Sequence, residues 1–457
     1  MEFQKIKLHR SEKNRAAVTQ ITLDDDYNVP DYRQDIVKVI KERGELRFDE
    51  VKAMEGAAWI KGSLVFKVLY RSDKQEGKIS CLRGEIPFQE RLNMDGLSEY
   101  DAVHATGDME DLTIGVINSR KLNVRAVIVL TASSEKEVDE ELTCELSDGS
   151  SYEQNIVEKE ALKLLVVRRD ICRQKSEAVL PSSKPNIREI LWQSMQLRNV
   201  ESRLVEGKIR LSGEILVSIL YNDEEEGEHL SWYETTVPLD AQAECGVMED
   251  DCIWQVQMVP LTMELEVKPD YDGEERILVM ELALDTHIRI WKEEKIRLLT
   301  DLYSLQKEVK PVFRECPLER LLVKNAAKCR MTEQMELKED KEKVLQICSC
   351  EGKVLLERQE IKPDGVLAEG TVEVNILYIT PDDHMPVGAV QEIYPFSQLV
   401  EIPEMSAQAK VELDASLEQL SAVMLDQEHV EIRAAVRLDL IAFVQEVIQN
   451  IEEATES

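Results

Sequence analysis

Three copies of one nine-residue pattern decide the fold of this chain: Gly62-Ser-Leu-Val-Phe-Lys-Val-Leu-Tyr70, Gly213-Glu-Ile-Leu-Val-Ser-Ile-Leu-Tyr221 and Gly370-Thr-Val-Glu-Val-Asn-Ile-Leu-Tyr378. Successive side chains of a strand point to opposite faces, so the apolar residue at every second position predicts a strand, which we call the signature strand. Its other face, which includes Ser63, Lys67 and Ser218, is predicted to face water. The residues predicted to face a core are Leu64, Phe66, Val68 and Tyr70, then Ile215, Val217, Ile219 and Tyr221, and then Val372, Val374, Ile376 and Tyr378.

Other landmarks keep their spacing around each signature strand. Tyr70 lies 151 residues before Tyr221, which lies 157 residues before Tyr378. A proline follows each tyrosine after the same interval, at Pro87, Pro238 and Pro395. Two apolar residues four positions apart precede each glycine, namely Ile36 and Ile40, Ile187 and Leu191, and Val344 and Cys348. Because 457 residues at about 150 per domain also give three domains, we interpret the chain as three tandem repeats.

The fold class predicted for each repeat is mainly β, a β-sandwich-like pair of sheets with one short α-helix. The helix is expected at 32–43 in the first repeat, with a cap from Asp31 and an end at Gly44. Its stripe of apolar residues is Ile36, Val37, Val39 and Ile40. The next hairpins turn at Gly56, Gly207 and Gly365, where glycine provides a positive φ.

The predicted repeats span 14–135, 164–293 and 321–445. Residues 133–160 hold ten acidic and two basic side chains around Ser-Asp-Gly-Ser-Ser. Because like charges repel and apolar residues are few, we expect a linker without core residues at 136–163. A second linker with a short docked helix is expected at 294–320, and residues 1–13 are expected to be a frayed lead.

Composition excludes several classes of function. The net charge of −34, from 90 acidic and 56 basic residues, disfavours nucleic acid and unassisted binding to anionic lipid. No apolar run approaches the roughly 20 residues of a membrane helix, so direct membrane insertion is not expected. The first ten residues lack the apolar core of an export signal, which predicts residence in the cytosol. The nine cysteines include no Cys-x-x-Cys pair and are expected to be reduced thiols.

The sequence contains no constellation typical of catalysis or of cofactor or metal binding. Its six histidines lack zinc-site spacing, and Glu-Gly-Lys at 76–78, 206–208 and 351–353 lacks the rest of a phosphate-binding loop. Cys348-Ser-Cys350 is too tightly spaced for a dithiol motif. We therefore expect no enzyme activity and no cofactor, and no binding residue can be named from the sequence.

The signature strand, the proline after it, the upstream apolar pair and the threefold arrangement together resemble the SPOCS domain of spore-coat-associated proteins. The resemblance is closest to the SipL type and covers about 14–445. It implies a cytosolic protein of the sporulating mother cell that is recruited to the forespore surface and works as a non-enzymatic scaffold in coat assembly. It also implies partners among the coat morphogenetic proteins, first among them the ATPase that forms the basement layer of the coat. A homo-oligomer is compatible with this interpretation.

The resemblance departs from the SipL type at one point, because that type continues into a LysM module and no stretch up to Ser457 is a candidate for one. A relative with another adaptor role and a chain trimmed of its LysM are both open. The alternative function, from another class, is a carbohydrate-binding or carbohydrate-processing β-sandwich. Its sugar platforms would be Trp59, Trp232, Trp254 and Trp291.

Overall fold

The computed structural model describes residues 1–72, 76–147, 151–224, 229–249, 251–338, 341–406 and 408–456, without the side chains of 13–15. Within these ranges the regular structure is β throughout, which confirms that the protein is mainly β but not that each repeat has a helix. The strands are β1 (Phe3–Asn28), β2 (Lys38–Met54), β3 (Ala57–Arg71), β4 (Ile79–Asn93), β5 (Val103–Asn118), β6 (Lys121–Leu146), β7 (Glu153–Val179), β8 (Ile187–Val205), β9 (Lys208–Asp223), β10 (Leu230–Glu244), β11 (Ile253–Pro269), β12 (Glu275–Tyr303), β13 (Val309–Glu336), β14 (Gln346–Lys362), β15 (Gly365–Ile379), β16 (Val387–Glu401), β17 (Lys410–Met424) and β18 (His429–Glu456).

Consecutive sets of six strands form the same pair of antiparallel sheets three times. In the first set, which we call repeat 1, the sheets have the orders β1-β6-β5 and β2-β3-β4. Repeat 2 has β7-β12-β11 and β8-β9-β10, and repeat 3 has β13-β18-β17 and β14-β15-β16. In each repeat one continuous hydrophobic cluster draws its residues from both sheets. The two sheets of a repeat therefore face each other across a common core.

The signature strand is the central strand of its sheet, as β3, β9 and β15. Its tyrosine is fully buried in all three repeats, as predicted. Each hydroxyl donates to a backbone carbonyl 36 residues upstream: Tyr70 to Gln34 at 3.1 Å, Tyr221 to Pro185 at 3.1 Å and Tyr378 to Glu342 at 3.0 Å. Burial raises the pKa of all three tyrosines, that of Tyr221 to about 12. Each tyrosine therefore anchors the backbone of the segment that precedes the first edge strand of its sheet.

The need for glycine at the start of the nine-residue pattern is explained by the close approach of the adjacent edge strand. Gly62, Gly213 and Gly370 lie beside irregularities of the adjacent edge strand, where that strand contains an extra residue. A Cβ atom at these positions would overlap the carbonyl oxygens of Arg47, Arg198 and Leu355, respectively. Glycine is the residue that permits such close approach of two backbones. The hairpin glycines Gly56 and Gly207 have φ values of 70° and 80°, as the turn prediction requires.

The predicted helix is wrong, because 38–43 belong to strand β2 and no helix occurs in the described ranges. Its apolar residues are β-branched, which favours strands. The four-residue spacing arises from a β-bulge that skips Ile40, Leu191 and Cys348 in the three repeats. The first residue of each pair, such as Ile36, packs in its own repeat. The second, such as Ile40, packs between the repeats.

The outer face of the signature strand does not face water, which corrects the second half of that prediction. Ser63 and Ser218 are buried, and burial lowers the pKa of Lys67. The leucine before each tyrosine lies on this face. Leu69, Leu220 and Leu377 meet in one hydrophobic cluster to which all three repeats contribute, and which we call the central cluster. The repeats are therefore packed around a common centre.

The segments predicted to be linkers are occupied largely by strands that extend beyond the three cores. The ribbons pair 3–12 with 136–146, 153–162 with 293–303, and 309–319 with 445–456, and we call them the stem. The expectation that 136–163 has no core residue is wrong, because Leu142 and Ala161 are buried among the three ribbons. The expected helix in 294–320 and the frayed lead are also strand, with Leu8 buried. Residues 148–150, in the middle of the first predicted linker, lie outside the described residues.

Candidate functional site

A buried charge network lies beside the central cluster and draws residues from all three repeats. Glu351 Oε1 of repeat 3 accepts hydrogen bonds from Lys41 Nζ of repeat 1 at 3.1 Å and from Trp192 Nε1 of repeat 2 at 2.9 Å. Arg43 Nη1 lies 3.5 Å from the second carboxylate oxygen, Oε2. Lys41 Nζ also lies 5.3 Å from the centre of the Trp192 ring, a cation–π distance. The network holds the repeats to each other.

The charges of this network are mutually compensated. Burial alone would raise the pKa of Glu351, but the charges of Lys41 and Arg43 outweigh it and lower that pKa. The neighbouring thiols are inert, because burial raises the pKa of Cys348 and of Cys350 to about 12. A fully hydrogen-bonded, neutralised carboxylate suits a structural joint rather than an acid or base for catalysis.

Four of the histidines pair with single carboxylates and form no metal site. His9 lies 2.6 Å from Asp139, and His429 lies 2.8 Å from Asp426. Two others join repeat 1 to repeat 2, through His104 with Asp285 at 3.1 Å and His287 with Glu135 at 2.8 Å. In the part of the chain that the structure describes, no three His, Cys, Asp or Glu side chains are grouped to hold a metal ion. All nine cysteines are free thiols.

The tryptophans proposed as sugar platforms do not stand exposed on the surface. Trp291 is buried against Phe443, with ring centres 5.4 Å apart. Lysine ammonium groups lie 4.6 Å from the ring centres of Trp232 and Trp254, and Trp59 is half-buried within β3. Sugar-binding aromatic rings need an open face, so this arrangement does not favour the carbohydrate alternative.

A cleft of about 490 Å³ lies between repeats 2 and 3. Strands β8, β9 and β10 form one wall, and β13, β17 and β18 form the other. Arg198 lines the cleft although only 5% of its surface is exposed. Its Nη2 donates to Gln196 Oε1 at 2.7 Å, while its Nε and Nη1 are covered and have no hydrogen-bond partner among the described residues. We call this cavity the Arg198 cleft.

Sequence reasoning named neither the charge network nor the Arg198 cleft. Lys41 and Trp192 occupy equivalent positions of repeats 1 and 2 but differ in chemistry, and Glu351 of repeat 3 does not share that position, so repeat comparison conceals their contact. The available signal was the conserved leucine on the face assigned to water, at Leu69, Leu220 and Leu377. An apolar residue kept on both faces of a strand indicates burial on both sides.

Comparison with known protein families gives one match, repeated three times. The profile described as SipL, SPOCS domain matches residues 35–117, 186–268 and 343–425. Each matched range starts just before the bulged edge strand and ends in the last hairpin of its repeat, so it includes the signature strand. The three ranges together span more than half of the chain.

Other comparisons add little. No curated protein matches the chain. Among solved structures, the ferric yersiniabactin uptake receptor FyuA from Yersinia pestis aligns with 8% identity over 96% of this chain and 80% of that one. The TM-score of that alignment is 0.11, so it supports no conclusion about fold. Within the described ranges, no helix has the length and hydrophobicity needed to cross a bilayer.

Proposed function

This chain belongs to the SipL, SPOCS domain family, and from that membership we propose that it is a non-enzymatic scaffold or adaptor in endospore coat assembly. SPOCS domains are linked to spore coat assembly, and the family is not known as catalytic. The observation that most supports a scaffold is the joint between the repeats, in which Glu351 binds residues of both other repeats. A scaffold needs fixed distances between its binding surfaces, and this joint supplies them.

The joint changes how three repeats would bind a partner. Flexibly linked domains gain avidity through effective concentration, which depends on linker length. Here the repeats contact each other through the central cluster and the stem. Each presents its outer surface in a fixed orientation, so a partner with matching spacing binds without the ordering cost of a flexible linker.

We also propose boundaries for the units. Each repeat is a β-sandwich-like unit with its own core, at 14–135, 164–293 and 321–445, and these ranges contain the family matches. The residues between them contribute to the stem. The proposed partners are coat morphogenetic proteins, with the basement-layer ATPase as the first to test, and the proposed place is the mother-cell face of the forespore.

The test is the location of a fluorescent fusion in the native host. We expect the fusion to appear during sporulation and to form a ring around the forespore. Deletion of the partner should disperse the ring, while the fluorescent protein alone should stay diffuse. A fusion that is made in vegetative cells and stays diffuse throughout sporulation would contradict the proposal.

A further inference from the structure

We propose that the Arg198 cleft binds a monocarboxylate with an apolar body, and that the carboxylate pairs with Arg198. The cleft volume of about 490 Å³ falls within the range of about 300–1,000 Å³ that is typical of small-ligand sites. This inference goes beyond coat assembly, because it concerns a ligand and does not depend on the identity of any coat partner.

The buried guanidinium is the first reason. An arginine is charged at every physiological pH and carries five N–H donors. Arg198 uses one atom, Nη2, for its bond to Gln196, and the donors on Nε and Nη1 have no partner among the described residues. Burial lowers the pKa of Arg198, and the charges of Cys350 and Glu234 oppose that effect. A charge held in this way is costly unless an anion compensates it.

No carboxylate of the described chain fills that role. Glu214 is the cross-strand neighbour of Arg198 on β9 and lines the same cleft, but it is exposed and forms no ion pair with Arg198. Glu234 acts on Arg198 only through its field, and burial raises the pKa of Glu234 itself. Glu418, on the other wall, is already paired with Lys328 at 2.5 Å. A carboxylate from outside the chain would therefore find Arg198 available.

The lining of the cleft selects the class of anion. A guanidinium donates two parallel hydrogen bonds to a carboxylate, which fixes its orientation. Leu216, Met331 and Leu420 offer an apolar wall for the rest of the ligand. The lining also carries Arg330 and Arg433 beside Glu214 and Glu418, so its charge admits an anion, and the apolar wall favours an anion with an apolar body over inorganic phosphate. These features together point to a single carboxylate on an apolar body.

Access to Arg198 requires a small movement, because its free donors are covered. Met331 is half-buried at the cleft and has an unbranched side chain that changes rotamer easily. A rotamer change of this lining side chain is the movement that we propose opens the way to the guanidinium.

The test is fluorine NMR of para-trifluoromethylbenzoate with the full chain, compared with the uncharged para-trifluoromethylbenzamide. We expect the benzoate to bind and the benzamide to bind at least about tenfold more weakly, since a hydrogen bond to a charged group is lost. Equal binding of the two probes, or binding of neither at millimolar concentration, would overturn the proposal. Displacement of the benzoate by an equal concentration of inorganic phosphate would also overturn it.

Two variants assign the binding to the cleft. Arg198→Met keeps an apolar stem and should weaken benzoate binding at least about tenfold. The matched control is Arg203→Met on the same strand, where an exposed arginine outside the cleft pairs with Glu201, and its binding should be unchanged. If Arg198→Met does not fold, Met331→Trp narrows the cleft without removing the charge and should also weaken binding. Unchanged benzoate binding in Arg198→Met, or in Met331→Trp where Arg198→Met does not fold, would contradict the proposal.

A second arm identifies the source of the carboxylate. A blocked peptide with one glutamate among alanines and leucines is compared with the same peptide containing glutamine. Competition by the glutamate peptide alone would support a carboxylate presented by a protein. Benzoate binding without competition from either peptide would support a free organic acid, and competition by both peptides equally would contradict recognition of a carboxylate.

Discussion

The Lys41 ammonium lies 3.1 Å from the Glu351 carboxylate, although the two residues are 310 positions apart in the chain. Trp192 of repeat 2 donates to the same carboxylate oxygen. Repeat 2 has Trp192 at the position equivalent to Lys41, and repeat 3 contributes Glu351, so each repeat contributes a different group to the joint. Because these groups are not interchangeable, the contact specifies which repeat lies beside which.

Removal of Lys41 should therefore destabilise the packing of all three repeats. Lys41→Met leaves Glu351 buried with Arg43 at 3.5 Å as its nearest remaining cation. Breaking a buried pair in this way costs about 3–5 kcal/mol, which urea unfolding followed by circular dichroism measures. The matched control is Lys52→Met, whose lysine pairs with Glu50 at the exposed surface, and its midpoint should not move.

The double variant Lys41→Met, Glu351→Met tests the reason for that loss. If the cost comes from an uncompensated charge, removal of both partners should restore most of the stability. A double variant as unstable as Lys41→Met alone would contradict an uncompensated Glu351 charge as the cause of the loss.

The core side of the signature strand could be predicted from sequence, because Tyr70 and its partners obey period two along one copy. The burial of the outer side could not be predicted, because Leu69 is covered by residues of the other repeats. The sequence pattern of one repeat contains no information about contacts between repeats. The bulge at Ile40 produced a helical spacing from strand residues. The stem was not predicted for a related reason. A segment with many charges and few apolar residues such as Leu142 has the composition of a linker, and Leu142 is buried only because two other ribbons cover it.

Leu220 and Val217 provide a test of the two-sided burial of the signature strand. They lie on opposite faces of β9, and each is only 1% exposed. Leu220→Ala should cost about 2–5 kcal/mol, comparable with a core leucine, because the central cluster cannot fully collapse around the lost atoms. Leu216→Ala, on the same face but half-buried at the Arg198 cleft, should cost less. Equal small losses for Leu220→Ala and Leu216→Ala would mean that the outer face is solvated.

Asn450 should be the main polar support of the stem. Its Nδ2 donates to the carbonyls of Thr143 at 2.8 Å and Leu299 at 3.1 Å, and its Oδ1 accepts from Thr143 N at 2.8 Å. One side chain of β18 thus satisfies backbone groups of both β6 and β12. Asn450→Ala leaves these groups unsatisfied and should cost about 2–4 kcal/mol.

Hydrogen exchange locates this effect. The Thr143 amide should exchange faster in Asn450→Ala, while amides of the three cores should keep most of their protection. Asn325→Ala is the control, because Asn325 is exposed and donates to the Glu401 carbonyl alone. Unchanged protection of Thr143 in Asn450→Ala would contradict the assigned role.

Glu135 should make the contact between repeats 1 and 2 sensitive to acid. Burial alone would raise its pKa, but hydrogen bonds from His287 and Ser11 and the charges of His287 and Arg289 hold the pKa of Glu135 at about 2, against an ordinary 4.5. A carboxyl group whose pKa is lower in the folded state stabilises that state above its unfolded pKa, and this contribution is lost as the pH falls through the folded pKa. Allowing for solvent screening, the contribution at neutral pH is about 1–2 kcal/mol.

Thermal unfolding of wild type and Glu135→Gln should therefore differ most at neutral pH, and the difference should shrink as the pH falls from about 5 toward 3. Glu137→Gln, two residues along the same strand and exposed, is the control and should follow wild type at every pH. A gap between wild type and Glu135→Gln that stays constant over this range would show that Glu135 supports the contact by shape alone.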